Sequence, residues 1–211
     1  MPATLLAMSC ASRLVVGVAV AVVLQSDVRA INVALGLRDI ERAMRLAQER
    51  PEKREEFHSP YIVRLLNDAT VEMIDIITEF RRYVLTAEKE LSLGHWLFAQ
   101  GTQEAEAAVQ PWRGRLSTVA RIRFHPQNRF VAVPPFDIRM GRPDLAPLDV
   151  VRTPINALPS GRRGDVSTPL IGATIEAQFD AASVGQTVRA VIIMLDGQEV
   201  ARVTIDFARL E

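Results

Sequence analysis

Asp196-Gly197 stands between two apolar runs, and no other feature constrains the fold of this 211-residue chain as strongly. A tight primed turn needs positive φ at both central residues, which Asp and Gly tolerate. Residues 188–195 and 199–207 are therefore predicted to pair as an antiparallel hairpin. The second strand alternates cleanly, with Ala201, Val203, Ile205 and Phe207 on one face and Arg202, Thr204 and Asp206 on the other. The first is apolar on both faces, Ala190, Ile192 and Met194 on one and Val191, Ile193 and Leu195 on the other. Such a strand needs cover on both sides. The expected cover for Val191, Ile193 and Leu195 is a long helix from earlier in the chain or a partner protein, which makes these three the candidate partner surface.

The same period of two recurs upstream. Leu116, Ala120, Ile122 and Phe124 alternate with Ser117, Arg121 and Arg123, the pattern of a half-buried strand. After a turn at His125-Pro126-Gln127-Asn128, Phe130, Ala132, Phe136, Ile138 and Met140 continue it, with Pro134-Pro135 marking an edge or a bend. Ile175, Ala177 and Phe179 alternate with Thr174, Glu176 and Gln178, and a weaker strand covers 148–151. Residues 111–211 thus suit an antiparallel β-sandwich of immunoglobulin-like size, without the Cys, Trp, Cys hallmark of antibody domains.

Residues 31–110 carry helical periods instead. Leu37, Ile40, Met44 and Ala47 share one face of a helix predicted over 33–49, ended by Pro51 and the charged run 53–56. Ser59-Pro60 offers a cap hydroxyl and a proline at a first helical position. From there Ile62, Leu66, Ala69, Met73, Ile76, Phe80 and Tyr83 keep a heptad register, which predicts a second, longer helix packed on the first as a hairpin. The fold class read from the sequence is α+β: a helical hairpin joined to a β-sandwich.

The first thirty residues give an address. Arg13 precedes an apolar run over 14–24, Gln25-Ser26-Asp27 ends it, and Val28-Arg29-Ala30 is a small-residue cleavage site, the layout of a secretory signal peptide. Cleavage would make Ile31 the mature N-terminus and discard Cys10, the single cysteine. The run is too short for a comfortable membrane span, so no stable span is expected after cleavage. Exported location, periplasmic or extracellular, follows as the expectation.

Chemistry is sparse. His58, His95 and His125 are far apart and lack ligand spacing, and no nucleophile elbow or phosphate-cradling loop occurs, so neither metal nor cofactor is expected. A formal net charge of zero gives no general pull toward nucleic acid. Locally the charge is uneven: residues 113–142 hold seven arginines against Asp137, a net of +6, whereas 31–112 hold 10 basic and 14 acidic residues, a net of −4. The two parts can attract each other. The sharper reading is an anion-binding strand face at Arg121, Arg123 and Arg129, because alternating guanidiniums grip carboxylate or phosphate. Of the 25 basic residues only Lys53 and Lys89 are lysine, a skew that suggests codon bias and a bacterial source. Residues 141–169 hold five of the 12 prolines and the tripeptide Arg163-Gly164-Asp165, and read as a candidate binding loop.

The functional expectation is an exported, non-enzymatic binding or assembly module of a bacterial envelope, with a protein partner there. The alternative is a secreted hydrolase or carbohydrate-active protein with dispersed catalytic carboxylates near the proline-rich loop.

Overall fold

The computed structural model describes residues 35–66, 70–95, 102–127, 130–141, 144–157 and 169–210. The leader with its cleavage site, Arg129 and the Arg163-Gly164-Asp165 tripeptide lie outside the described residues. Within them the fold is mixed helix and antiparallel sheet.

Among the described residues eight strands form two sheets. The larger runs in the order β1 (Ile62–Arg64), β2 (Val71–Ile77), β3 (Arg115–Arg123), β6 (Leu170–Asp180), β5 (Asp149–Asn156). The smaller runs β4 (Phe136–Gly141), β7 (Val188–Leu195), β8 (Gln198–Asp206). Every pairing is antiparallel. The inward alternates of both sheets meet in one apolar cluster: Val71, Ile74, Ile76, Leu116, Ala120, Ile122, Ile175 and Phe179 from the larger, Phe136, Ile138, Met140, Val191, Ile193 and Val203 from the smaller. Truncating one of the fully buried aliphatics to alanine costs about 2–5 kcal/mol at such a site.

The hairpin predicted at Asp196-Gly197 is present, with φ of 51° and 78° and Leu195 paired to Gln198. Pro134-Pro135 ends the ladder rather than bending it, so β4 begins only at Phe136. The weak strand expected at 148–151 is longer, and Pro154 sits in it because β5 is a sheet edge.

The helical expectation fails in its longer element. Residues 62–64 and 71–77 are not helix but the antiparallel strands β1 and β2, and only α3 (Glu79–Ser92) keeps the helical part of the stripe. The heptad positions mislead because Leu66, a supposed seam residue, is 89% exposed. The β-branched residues Val71, Ile74 and Ile76 instead turn into the sheet core, where stiff side chains pack well on a pleated surface. The boundary expected at residue 110 consequently does not part helix from sheet, since β2 is hydrogen-bonded along β3. Nor do the first two helices form the expected hairpin. The helix α1 (Leu37–Ala47) packs on α3, with α2 (Pro51–His58), a 3-10 turn (Ser59–Tyr61), β1 and β2 between them in the chain. Proline 51 and the charged run do not only stop α1; the proline takes the first position of α2.

Ile40, Ala43 and Met44 of α1, Phe80, Tyr83, Val84 and Ala87 of α3, and Ala105 and Val109 of α4 (Thr102–Val109) make a second apolar cluster. Phe57 packs against both clusters. Thr78 caps α3, its hydroxyl accepting from the Arg81 amide at 3.2 Å. Arg82, one residue on, pins the helix to the outer face of the larger sheet, donating to Ser117 Oγ at 2.5 Å and lying 3.4 Å from Glu176. Its guanidinium is pulled below the ordinary arginine value by burial, with the Glu176 charge opposing. The far end of that outer face, toward Arg64 and Arg123, is left open by the described residues.

Candidate functional site

The open end is built by a bulge. Val71 pairs with Ile122 and Met73 with Arg121, so Glu72 is an extra residue in the ladder. A bulge re-aims a side chain. Here it brings the Glu72 carboxylate onto the outer face, 3.2 Å from Arg121 Nε and 3.4 Å from Arg123 Nε. Strand alternation had already set those two arginines side by side on that face. Their side chains are 55% and 60% exposed. Arg64 on β1, paired with Met73, adds a third exposed guanidinium to the same row and has no ion-pair partner among the described residues. Two guanidiniums thus hold one carboxylate, and a third lines the same hollow. Each has five N–H donors in a fixed fork, and Glu72 meets Arg121 and Arg123 through Nε, so donors for a further planar anion remain. At these exposures each ion pair contributes little to stability, about 0–1 kcal/mol, so its effect is on where the guanidiniums point.

The Arg–Glu–Arg cluster separates two hollows. One, about 320 Å³, is lined by Arg64, Leu65, Leu66, Glu72, Met73 and the two arginines. The other, about 360 Å³, runs from Arg121 and Arg123 past Phe124, His125 and Pro126 to Ile155, Leu170, Ile171 and Gly172.

Two of the three arginines singled out from the sequence are therefore together, and the acid and base of different halves do meet. Glu72 and Arg64 were missed because residues 62–77 read as helix. The alternation of Val71, Ile74 and Ile76 was the available signal, blurred by the bulge at Glu72.

The predicted partner surface is overturned. Val191 and Ile193 are 0% exposed in the cluster between the sheets, and Leu195 is half-buried. The inward residues of the larger sheet cover Val191 and Ile193 in place of the expected helix. Their neighbours Ala190, Ile192 and Met194 point outward and are only half-buried. Ile192 is flanked in register by Arg139 and Arg202, whose aliphatic stems can shield it while the charged heads stay in water.

All three histidines have local partners. His58 lies in a half-buried chain of charges: Arg81 Nε donates to its Nδ1 at 3.1 Å, and its Nε2 is 3.2 Å from both Glu88 oxygens. Arg54 approaches Glu88 at 3.5 Å, and Arg81 also bonds Asp75 and the Ile76 carbonyl. Because a guanidinium can only donate, Nδ1 must accept and Nε2 carry the hydrogen. The nitrogen a general base would use is occupied. This chain of charges clamps α2, α3 and β2. His95 meets Glu90 at 2.7 Å on the surface, and His125 accepts from the Gln127 amide at 3.3 Å.

No protein family, curated protein or solved structure matches the chain.

A third hollow, about 600 Å³, is lined by Pro135, Asp137, Arg139, Pro147, Val150, Arg152, Met194, Asp196 and Gly197. Asp137 is 3.6 Å from Arg139, which is also 3.6 Å from Asp144, so its carboxylate is partly neutralised. Among the described residues no group of three or more His, Cys, Asp or Glu side chains could hold a metal ion. No helix there is long and apolar enough to cross a membrane.

Proposed function

We propose that this chain is an exported, non-enzymatic binding module of a bacterial envelope that recognises anionic groups at the open end of its larger sheet. The observation that carries the reading is the pair of half-exposed guanidiniums, Arg121 and Arg123, set in register by Glu72 between two hollows. Positioned bidentate donors recognise carboxylate and phosphate. The leader-like first thirty residues support export, and the arginine skew supports a bacterial source. The architecture fits a recognition role as well. The order β2-β3-β6-β5 against β4-β7-β8 follows the A-B-E-D and C-F-G order of constant-type immunoglobulin sandwiches, with β1 as an added edge and helices inserted between the first two strands.

The test is a titration with inorganic phosphate followed by NMR of the arginine Nε–H signals. Saturable shifts of the Arg121 and Arg123 signals are expected, together with shifts of the neighbouring Glu72 and Ile122 backbone amides that vanish in R121A/R123A. Shifts that are uniform over all arginines, or unchanged in that variant, would remove the proposal.

A hydrolytic reading has one observation in its favour, the convergence of Asp137 and Asp196 on the 600 Å³ hollow. Turnover of chromogenic glycosides or esters, abolished in D137N or D196N, would favour it over binding alone.

A further inference from the structure

The 360 Å³ hollow differs from its neighbour in chemistry. Phe124, Ile155, Leu170 and Ile171 make an apolar wall, while the guanidiniums of Arg121 and Arg123 stand at one end. Ile171 is 47% exposed, an apolar surface that leads directly into the hollow. Gly172 deepens it: the β6 backbone there approaches Ile122 so closely that a side chain would collide with the Ile122 carbonyl oxygen. An apolar trough closed at one end by cationic forks matches a ligand with the complementary polarity. The volume lies at the small end of ligand pockets, which fits a short chain and not a lipid bilayer or a folded partner.

We infer that this hollow binds a small amphipathic carboxylate, its headgroup on Arg121 and Arg123 and its hydrocarbon chain along Phe124, Ile155 and Ile171. The inference rests on the anion-binding reading of the two arginines and adds the apolar half of the ligand. The Nη donors reach the carboxylate as a fork, and Glu72 keeps both guanidiniums turned to the mouth. Burial of the chain then adds affinity with each methylene, roughly fourfold if the methylene is fully covered.

Calorimetric titration of the full chain with octanoate, butyrate and 1-octanol tests it. Octanoate should bind at least tenfold more tightly than butyrate, and 1-octanol should not compete with it. R121A/R123A should lose octanoate binding. I155D, an edge-strand change at a half-buried position that places a carboxylate in the apolar wall, should lose it while keeping the phosphate-induced shifts at Arg121 and Arg123. Circular dichroism melting of each variant establishes that it is folded. Equal affinity for octanoate and butyrate, both lost in R121A/R123A, would overturn the amphipathic ligand and leave the anion site standing. Binding of octanoate and 1-octanol alike, indifferent to R121A/R123A, would overturn both. Phosphate-induced shifts with no octanoate binding would sink this inference alone.

Discussion

Replacing Arg81 by methionine keeps an unbranched stem in the same space and removes only the charge and its donors. Arg81 is 2% exposed, and its ion-pair partner Asp75 is 20% exposed. The same guanidinium donates to the Ile76 carbonyl at 2.5 Å and to His58 Nδ1 at 3.1 Å, and it lies 4.8 Å from the centre of the Tyr61 ring. Arg81→Met therefore strands a largely buried carboxylate and two acceptors at once. Breaking a buried pair from one side costs about 3–5 kcal/mol, and the residual exposure of Asp75 places this one near 3 kcal/mol. For a domain with about 5–15 kcal/mol of total stability that is a large fraction. Urea unfolding followed by circular dichroism measures it, provided the unfolding slope is unchanged. Adding Asp75→Leu to Arg81→Met should recover about 1–2 kcal/mol, because the stranded charge is gone. If Arg81→Met cost under about 1 kcal/mol, or if the double variant lost the full sum of the singles, the chain of charges from Asp75 to Glu88 would not be the clamp described.

Three further outcomes are expected. Thr118 is fully buried between the sheets and its Oγ1 meets no hydrogen-bond partner among the described residues, so Thr118→Val should stabilise by about 1 kcal/mol in the same urea assay; destabilisation would mean the hydroxyl is bonded. Gly172→Ala should lower the melting temperature sharply, by the equivalent of about 2 kcal/mol or more, because the new methyl meets the Ile122 backbone and not a movable side chain; a variant melting within a degree of the parent would contradict the close approach. The Tyr83 phenol is held above its ordinary pKa of 10.0, first by burial and then by Glu79 and Glu106, against Arg113. The folded value exceeds the unfolded one, so stability is complete below pH 10 and falls as pH rises from there toward the folded value. Tyr83→Phe should flatten that alkaline decline, and a slope identical in the two proteins would exclude Tyr83 as its source.

How much of this was legible depends on which period a segment carries. The strands β3, β6 and β8 alternate apolar with polar residues, and the turn residues at Asp196-Gly197 admit few backbones, so periodicity and turn chemistry agreed and the sheet was readable. Residues 62–77 were not, because a β-bulge at Glu72 shifts the phase of β2 by one. A shifted period of two then imitates steps of three and four, and the true helix beginning at Glu79 continues the imitation. The site failed for the same reason. Arg121 and Arg123 stand on a regular strand and were found, whereas Glu72, which orients them, sits on the irregular one. For Val191 and Ile193 the need for cover was correct and the supplier was not, since which sheet closes on a strand is decided by long-range pairing that no local pattern encodes.

The β2–β3 seam has a consequence for how the chain can be cut. Residues before 110 supply β1 and β2, and these shield one side of β3 along nearly its whole length. A fragment starting near residue 111 would keep the apolar strands yet bare the backbone donors and acceptors of β3 as a long, flat edge. Such a fragment would recruit copies of itself edge to edge, so the segment ahead of β3 acts as a built-in guard against self-association as well as a part of the core.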